Sequence, residues 1–542
     1  MLATRRTERH LILVVVVIAA ALSLAGTAAW AVSGGGGLVT TSPAGTKAVP
    51  SITWAVYRDV NSLDPIYAFD YPENTAVSLL CESLLRQGPD GTIRPGLATL
   101  ATPSATKLVF TLKPGITFWD GKPVTSADVV YSLDRNTDPK LAGFYGASFN
   151  RVKSIKATGA RQVTITLKQP DYWLQGELAS VESVILEKAF VVKEGKKFGT
   201  PTGGTMCTGA YKFQSWSPGV GVTAVANPSY WNHAVKPLVG KIVLKGAPNV
   251  ASYTSALLTN GIQGGYTFAL STLKQLEQSS SVTVYQGPSW STDAFIVSNL
   301  KGPLGDVRVR RALSLAVDRP GIVDAVYKGA ALLPRWQSNP GTFGYAKSVF
   351  QKAYASTPVM AHDVARAKQL VTAAGATGKT ITLGMSSELQ NIAAVAGAYQ
   401  SAGQAIGLHV NFKSVSAQNY INFFTDPKAR AGIDGFFTVN YGDYADPAAM
   451  LATYVLPTGS QNYDGFNDPK ITSLMEKARG TANSVARARL IVQVETLANS
   501  ELPWIPDVQP TSVLLLHKGL TGAVASFAYM FAPWADHLGG TG

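Results

Sequence analysis

One short stretch of the chain concentrates side chains that could bind a polar solute. Residues 440–447 have the sequence Asn-Tyr-Gly-Asp-Tyr-Ala-Asp-Pro, with two carboxylates and two tyrosines. Carboxylates pair with ammonium groups, and tyrosines offer flat faces and hydroxyls, so the stretch suits an aromatic-lined binding site. The alternative is a simple turn in which Asp446, before Pro447, caps the next helix. We expect Asp446 to be such a cap and Asp443 to contact a ligand.

The elements before this stretch are expected to place it at the edge of a sheet. Strand and helix patterns alternate there, with strands predicted at 380–385, 409–415 and 435–440 and helices at about 388–405 and 417–424. A βαβαβ order predicts a parallel sheet with right-handed crossovers. Ligands bind beyond the carboxyl ends of such strands. Asn440 and Tyr441 would therefore stand at the edge, followed by Asp443 and Tyr444.

The rest of the chain also predicts a mixed α/β protein. A strand is expected at 51–57 and a helix from Pro72 to Leu85, and Thr125-x-x-Asp128 has the pattern of a capping box. Further helices are expected after Asp306, Asp363 and Asp468, and a hairpin at 210–226.

Composition and motifs exclude several classes of function. The 542 residues carry a net charge of +13 and are 46% hydrophobic, which predicts several domains with ample core. Lysines and arginines are scattered, so nucleic-acid binding is not predicted. No nucleophile elbow, zinc-protease or phosphate-loop motif occurs, and the histidines are dispersed. Ser271-x-x-Lys274 formally matches penicillin-recognising enzymes, but their other motifs are missing. We predict no enzyme activity, no cofactor and no metal.

The amino-terminal residues predict export. Arginines precede the apolar stretch 11–24, and Ala29-x-Ala31 ends it, as in a signal peptide. Residues 1–32 could equally form an uncleaved signal anchor. Thr27 stands where a lipoprotein signal would have its cysteine. Residues 33–48, rich in glycine, serine and threonine, are predicted to be a flexible linker. The body is therefore expected at the outer face of the cytoplasmic membrane.

Two cysteines occur, Cys81 and Cys207. In an oxidising compartment an even count suggests one disulfide, and two buried free thiols are the alternative.

Several segments, in order, resemble one family. They are Asn61–Pro65 with Glu82–Leu85, the stretch 110–135 (FTLKPGITFWDGKPVTSADVVYSLDR), Cys207–Phe213, Val307–Arg319 and Gly442–Pro447. The ordered set resembles the extracytoplasmic solute-binding proteins of ATP-driven peptide and nickel importers, family 5.

The resemblance implies an α/β, two-lobed fold of the periplasmic-binding-protein type II (Venus-flytrap) kind, with an extra subdomain in the first lobe. It implies lobe I at 49–85, 200–295 and 505–542, the inserted subdomain at 86–199 and lobe II at 296–504. It also implies a monomer that closes on a peptide and delivers it to an ABC permease.

The resemblance assigns roles to individual residues. Asp443 matches the carboxylate that pairs with a peptide's α-ammonium, and Tyr71 falls where members meet the peptide main chain. Asn440 stands where peptide binders often have tryptophan. Asn440, Tyr441 and Trp290 would suit sugar faces as well, so an oligosaccharide or other non-peptide solute stays open. Nickel import, an envelope peptidase or penicillin-recognising enzyme, and a structural envelope protein are less favoured hypotheses.

Overall fold

Two large open sheets carry most of the strands. The computed structural model describes residues 37–266 and 270–542, apart from the side chain of Gln390. One sheet has seven strands, in the order Val282–Gly287, Ser512–His517, Gly264–Tyr266, Ile52–Val56, Lys241–Gly246, Gly221–Ala226 and Tyr211–Ser217. The other has six, in the order Ala331–Leu332, Trp504–Pro510, Ser291–Val297, Gly435–Tyr441, Thr380–Met385 and His409–Ser414. Each sheet has helices packed on it, so the described chain is an α/β protein built around two sheets.

The predicted βαβαβ unit is confirmed in the six-stranded sheet. The strand Thr380–Met385 pairs in parallel with both His409–Ser414 and Gly435–Tyr441. The helix between the first two strands spans Gln390–Ala405, and the predicted helix at 417–424 is divided into Ala417–Tyr420 and Asn422–Thr425. The stretch that begins at Asn440 therefore lies at the carboxyl end of a parallel strand, as expected.

A separate antiparallel sheet lies within residues 98–167. Its strands, in spatial order, are Ala98–Ser104, Lys107–Leu112, Gln162–Leu167 and Val152–Gly159. The helix Ser126–Asp134 starts with the predicted capping box: the Asp128 amide donates to Thr125 Oγ1 (3.3 Å), and the Thr125 amide donates to the Asp128 carboxylate (3.0 Å). Short ladders join Leu85–Gln87 with Ile93–Pro95 and Leu520–Thr521 with Gly539–Gly540.

The remaining helices follow the predicted pattern with one clear boundary error. The first helix spans Tyr71–Leu80 rather than reaching Leu85, because the backbone turns extended at Cys81 and Leu85 begins a strand. The other α-helices are Leu174–Glu177, Lys188–Glu194, Val250–Leu258, Leu273–Glu277, Val307–Ala316, Arg319–Ala325, Lys347–Ser356, Val364–Ala373, Pro447–Val455, Pro469–Arg479 and Ser484–Glu501. Asp306, Asp363, Asp446 and Asp468 cap their helices.

The chain passes between the two large sheets at two adjacent places. Residues 288–290 join Gly287 to Ser291, and Thr511 joins Pro510 to Ser512. The Asn339 side-chain amide ties the passages together, because its nitrogen donates to the carbonyls of Ser291 (2.8 Å) and Pro510 (3.0 Å).

The amino-terminal predictions have different outcomes. The predicted signal or anchor, residues 1–32, and the start of the linker lie outside the described residues. The prediction of a flexible linker is wrong for residues 39–48. Ser42 is buried, its hydroxyl accepts from the amides of Gly522 (2.8 Å) and Ala523 (2.9 Å), and Val39 donates to the carbonyl of Gln286. No helix in the described ranges is long and apolar enough to span a membrane.

A disulfide joins Cys81 and Cys207. It fastens the end of the helix Tyr71–Leu80 to the segment before Tyr211, and both cysteines lie in the core around the seven-stranded sheet. The two cysteines are 126 residues apart, so the bond restricts the unfolded chain strongly.

Replacing both cysteines, in Cys81→Ala/Cys207→Ala, should lower stability. On the chain-entropy model a loop of this length contributes on the order of 4–5 kcal/mol. Thermal unfolding should show a lower midpoint for the variant, and adding reductant should shift the midpoint of the wild type but not of the variant. Equal midpoints for both proteins without reductant would contradict the prediction.

Candidate functional site

The strand Gly435–Tyr441 directs alternate side chains into a cleft between the two large sheets. Val439 and Tyr441 lie on one face of the strand, since successive side chains point to opposite faces. Their ladder partners Asp293 and Ser291 lie on the same face. Asn440 lies on the other face, buried opposite Thr292.

Three carboxylates meet beyond the end of this strand. One oxygen from each of Glu177, Glu182 and Asp443 lies within 4.8 Å of the others. Glu182 is 3% exposed, whereas Glu177 and Asp443 are partly exposed. We call these three residues the acidic cluster. Such a group suits a cation, because each carboxylate can direct one oxygen at it.

No lysine or arginine forms a salt bridge with the acidic cluster among the described residues, and Arg479, which acts on Glu177 from a distance, is paired with Asp171. Burial, the Glu177 carboxyl, which hydrogen-bonds to Glu182, and Asp443 raise the pKa of Glu182 well above its usual range, and the Ser148 hydroxyl opposes this rise. Burial, with a contribution from Glu177, raises the pKa of Asp443 to about 7. Burial also raises the pKa of Glu177, and a hydrogen bond with Glu182 and the charge of Arg479 oppose this rise. Carboxylates this close cannot all stay ionised without a cation.

Close packing brings the two glutamates to Asp443. Glu177 ends the short helix Leu174–Glu177, and Glu182 follows in the 3-10 turn Val181–Ser183. Gly176 lies against the ring of Tyr444: a Cβ at this position would lie 2.2 Å from Tyr444 Cδ2. The glycine therefore permits the approach that places Glu177 beside Asp443.

Two polar contacts fix the loop that carries Asp443. The Gln87 side-chain amide donates to the Asp443 carbonyl (2.7 Å) and accepts from the Ala445 amide (3.1 Å). The Tyr441 hydroxyl donates to the Phe69 carbonyl (2.6 Å). Residues far apart in the sequence are thus in contact around the loop, and the cleft is closed on this side.

A cavity lies in the cleft on the other side of Tyr441. The space in it that water molecules could occupy is about 60 Å³. Its walls include Tyr71, Tyr266, Phe527 and Tyr529 on the side of the seven-stranded sheet and Ser291, Asp293 and Val439 on the other. The ring centroids of Tyr71 and Tyr441 are 5.2 Å apart, so an aromatic wall joins the cavity to the acidic cluster.

The structure brings together some of the predicted site residues. Tyr71 lines the cavity, Tyr441 packs against the ring of Tyr71, and Asp443 belongs to the acidic cluster. Trp290 and Tyr444 are instead core residues. Trp290 is 1% exposed and stacks on Phe531, with centroids 5.8 Å apart, and Tyr444 is 4% exposed. Asn440 faces away from the cleft, because it alternates with Tyr441 along the strand.

Sequence reasoning missed Glu177, Glu182 and Asp293. The glutamates belong to the predicted inserted subdomain, and nothing local marks them as neighbours of Asp443. Asp293 lies in a strand without a motif. The alternation of the strand Ser291–Val297 indicates which residues share a face, but not that this face borders a cleft.

Comparison with known proteins decides the family. Bacterial extracellular solute-binding proteins, family 5, match residues 92–462, which is more than half of the chain. The chain belongs to this family. The resemblance inferred from the ordered motifs and the two-lobed α/β fold are confirmed, and the protein is a solute-binding protein.

Relatives cover almost the whole chain. The periplasmic murein peptide-binding protein MppA of Escherichia coli K12 is 28% identical over 487 residues, which are 85% of this chain and 88% of that protein. The structure of DppA from Helicobacter pylori in complex with the peptide STSA has a TM-score of 0.78 at 20% identity and covers 92% of this chain and 99% of that one. AgaA from A. tumefaciens R10, in complex with agropinic acid, has a TM-score of 0.78 at 21% identity over 91% and 99%. The two structures share the fold and bind different solutes.

An ion pair joins residue 171 to the helix Pro469–Arg479 of this solute-binding protein. The guanidinium of Arg479 donates twice to Asp171, over 2.9 and 2.6 Å, and the side chains are 11% and 0% exposed. Removing one partner of a buried pair leaves an uncompensated charge, which costs about 3–5 kcal/mol. If the cleft opened here, water would solvate the Asp171 carboxylate that loss of Arg479 leaves without its partner.

Arg479→Ala should therefore shift the protein toward an open form. We expect a larger radius of gyration than that of the wild type in small-angle X-ray scattering without added solute. Arg94→Ala is the control, because Arg94 forms an exposed ion pair with the nearby Asp90. Superimposable scattering curves for Arg479→Ala and the wild type would show that the pair does not hold the cleft closed.

Proposed function

We propose that this solute-binding protein captures peptides outside the cytoplasmic membrane and delivers them, as a monomer, to an ABC permease. The acidic cluster supports the proposal best. A peptide's α-ammonium carries three donors, and ammonium–carboxylate hydrogen bonds are about 2.7–2.9 Å long. Three acceptors arranged tetrahedrally around such a nitrogen are roughly 4.6 Å apart. The three carboxylate oxygens all lie within 4.8 Å of one another, which is close enough for one ammonium to contact all three.

Capture would proceed by closure around the solute. Asp443 approaches from the six-stranded sheet, whereas Glu177 and Glu182 belong to the proposed inserted subdomain of lobe I, residues 86–199. An ammonium held between them contacts both sides, and contacts made to both lobes favour the closed form. The two chain passages at 288–290 and 511 would act as the hinge. A permease could then distinguish the loaded protein by its shape.

The remainder of the peptide would follow the aromatic wall. Tyr71 and Tyr441 would contact its main chain and side chains, and the cavity beyond them would receive one side chain. We propose lobe I at 49–85, 200–295 and 505–542 and lobe II at 296–504. The amino-terminal segment would keep the protein at the outer face of the membrane, as a signal anchor, or release it after cleavage.

Loss of the Asp443 carboxylate should weaken the binding of peptides with a free amino terminus. Removing one charge-assisted contact costs about 1.5–3 kcal/mol, which is roughly tenfold or more in affinity. Calorimetry with pentaalanine should show this loss for Asp443→Asn. The exposed Asp426→Asn is the matched control and should bind as the wild type does. If amino-terminally acetylated pentaalanine binds the wild type equally well, the ammonium role is wrong. If neither peptide binds, a non-peptide solute becomes the better hypothesis.

Peptide binding should also release protons near neutral pH. The pKa of Asp443 is about 7 when no cation faces it, and those of Glu177 and Glu182 are also raised. An ammonium favours the ionised carboxylates and lowers these pKa values, so binding displaces protons and affinity rises between about pH 5 and pH 8.

Calorimetry in phosphate and in Tris measures this release. The two buffers have different enthalpies of protonation, so the observed binding enthalpies should differ. Asp443→Asn should reduce the difference. Equal enthalpies in both buffers at pH 7 would show that no proton is exchanged.

A further inference from the structure

The cavity beyond Tyr441 contains a carboxylate that the proposed ammonium contact does not use. Asp293 lies on the strand Ser291–Val297 and is 8% exposed. The Tyr327 hydroxyl donates to its Oδ2, and its Oδ1 is buried without any hydrogen-bond partner. A buried acceptor of this kind is costly to leave unpaired. Asp293 lies in the cavity wall, where a bound solute can supply the missing donor.

The surroundings of Asp293 are negative rather than positive. Burial and the nearby Asp507 raise its pKa well above the usual range, and among the described residues no lysine or arginine contributes an opposing effect. Asp507 itself faces Tyr399 and Arg319. The Arg319 guanidinium is already occupied, since it donates to the Pro506 carbonyl and to Ser314.

A second unpaired polar group lies in the same wall. The Ser512 hydroxyl oxygen is buried without a hydrogen-bond partner, and the residue is 6% exposed. Ser512 lies just after the passage at Thr511, and it lines the cavity together with Asp293. Both oxygens can accept hydrogen bonds from donors of a bound solute.

We propose that the Asp293 cavity binds a basic side chain of the peptide, with the ammonium of a lysine-like residue paired to Asp293 and Ser512. The proposal rests on peptide binding and adds a preference for the composition of the peptide. A cation would provide both the missing donor and the missing charge, whereas an apolar side chain would leave Asp293 unpaired. The rings of Tyr71, Tyr266 and Tyr529 would surround the aliphatic part of the side chain.

Strand geometry indicates which residue of the peptide reaches the cavity. Asp293 lies opposite Val439, four residues before Asp443. Four extended residues span at most about 13 Å, and neighbouring strands lie roughly 5 Å apart. The Cα atoms of the two aspartates are therefore at most about 14 Å apart along the cleft. With the α-ammonium at Asp443, an extended peptide would place its second, third or fourth side chain near Asp293.

A scan with matched peptides tests the proposal. The probes are pentaalanine and its variants with lysine or norleucine at the second, third or fourth position; norleucine has the same straight chain without the ammonium. Calorimetry would give Kd for the wild type, Asp293→Asn, Ser512→Ala and Tyr327→Phe. Asp293→Asn keeps an acceptor for Tyr327, and Tyr327→Phe keeps the carboxylate.

We expect lysine to bind the wild type at least about tenfold more tightly than norleucine at one position or more, as a charge-assisted contact provides. The ratio of the Kd of the norleucine peptide to that of the lysine peptide should approach one in Asp293→Asn and decrease in Ser512→Ala. It should be unchanged in Tyr327→Phe. Norleucine peptides should bind Asp293→Asn as they bind the wild type, which shows that the variant is folded.

Two results would overturn the proposal for the cavity while leaving peptide binding itself intact. A wild-type protein that binds pentaalanine but prefers norleucine at all three positions would show an apolar cavity. A lysine preference that survives in Asp293→Asn would place the cation elsewhere. If neither pentaalanine nor any variant peptide binds the wild type, peptide capture itself is wrong, and the cavity assignment fails with it.

Discussion

The arrangement of the candidate site depends on how three neighbouring carboxylates are accommodated in one place. Glu177, Glu182 and Asp443 meet where the cleft is closed, and a cluster of like charges in a low dielectric either keeps protons or requires a cation. The empty closed form therefore carries an electrostatic cost that an ammonium can remove. In the proposed capture by closure, closing the cleft and recognising a charged group would be the same event, because Asp443 and the two glutamates belong to the two proposed lobes.

Attractive contacts surround this repulsive centre. Asp171 and Arg479 form a buried ion pair, and the Gln87 amide fastens the backbone on both sides of Tyr444. In the proposed mechanism these contacts would favour the closed form whether or not a solute is present, whereas the acidic cluster would oppose it until a cation is bound. A binding protein needs such a balance, since a cleft that closed strongly while empty would present the loaded shape without a solute.

Local patterns predicted the elements but only part of the site. The βαβαβ order placed Asp443 correctly at the end of a parallel strand, because hydrophobic periodicity and helix caps are properties of neighbouring residues. Residue type alone does not separate an aromatic contact from a core side chain, and Trp290 and Tyr444, predicted as ligand contacts, are buried in the core. Glu177 and Glu182 reach Asp443 through packing at Gly176, which is a long-range contact that no spacing in the sequence records.

The geometry of the six-stranded sheet relates the acidic cluster to the Asp293 cavity. Val439 and Tyr441 share one face of their strand, Asp293 lies beside Val439, and Asp443 follows Tyr441. A peptide in extended form has nearly the same rise per residue as the strand beneath it. Its amino terminus and one of its side chains would therefore meet Asp443 and Asp293 without a change in register. A solute with one positive charge satisfies one carboxylate site, and only a solute with two correctly spaced charges satisfies both.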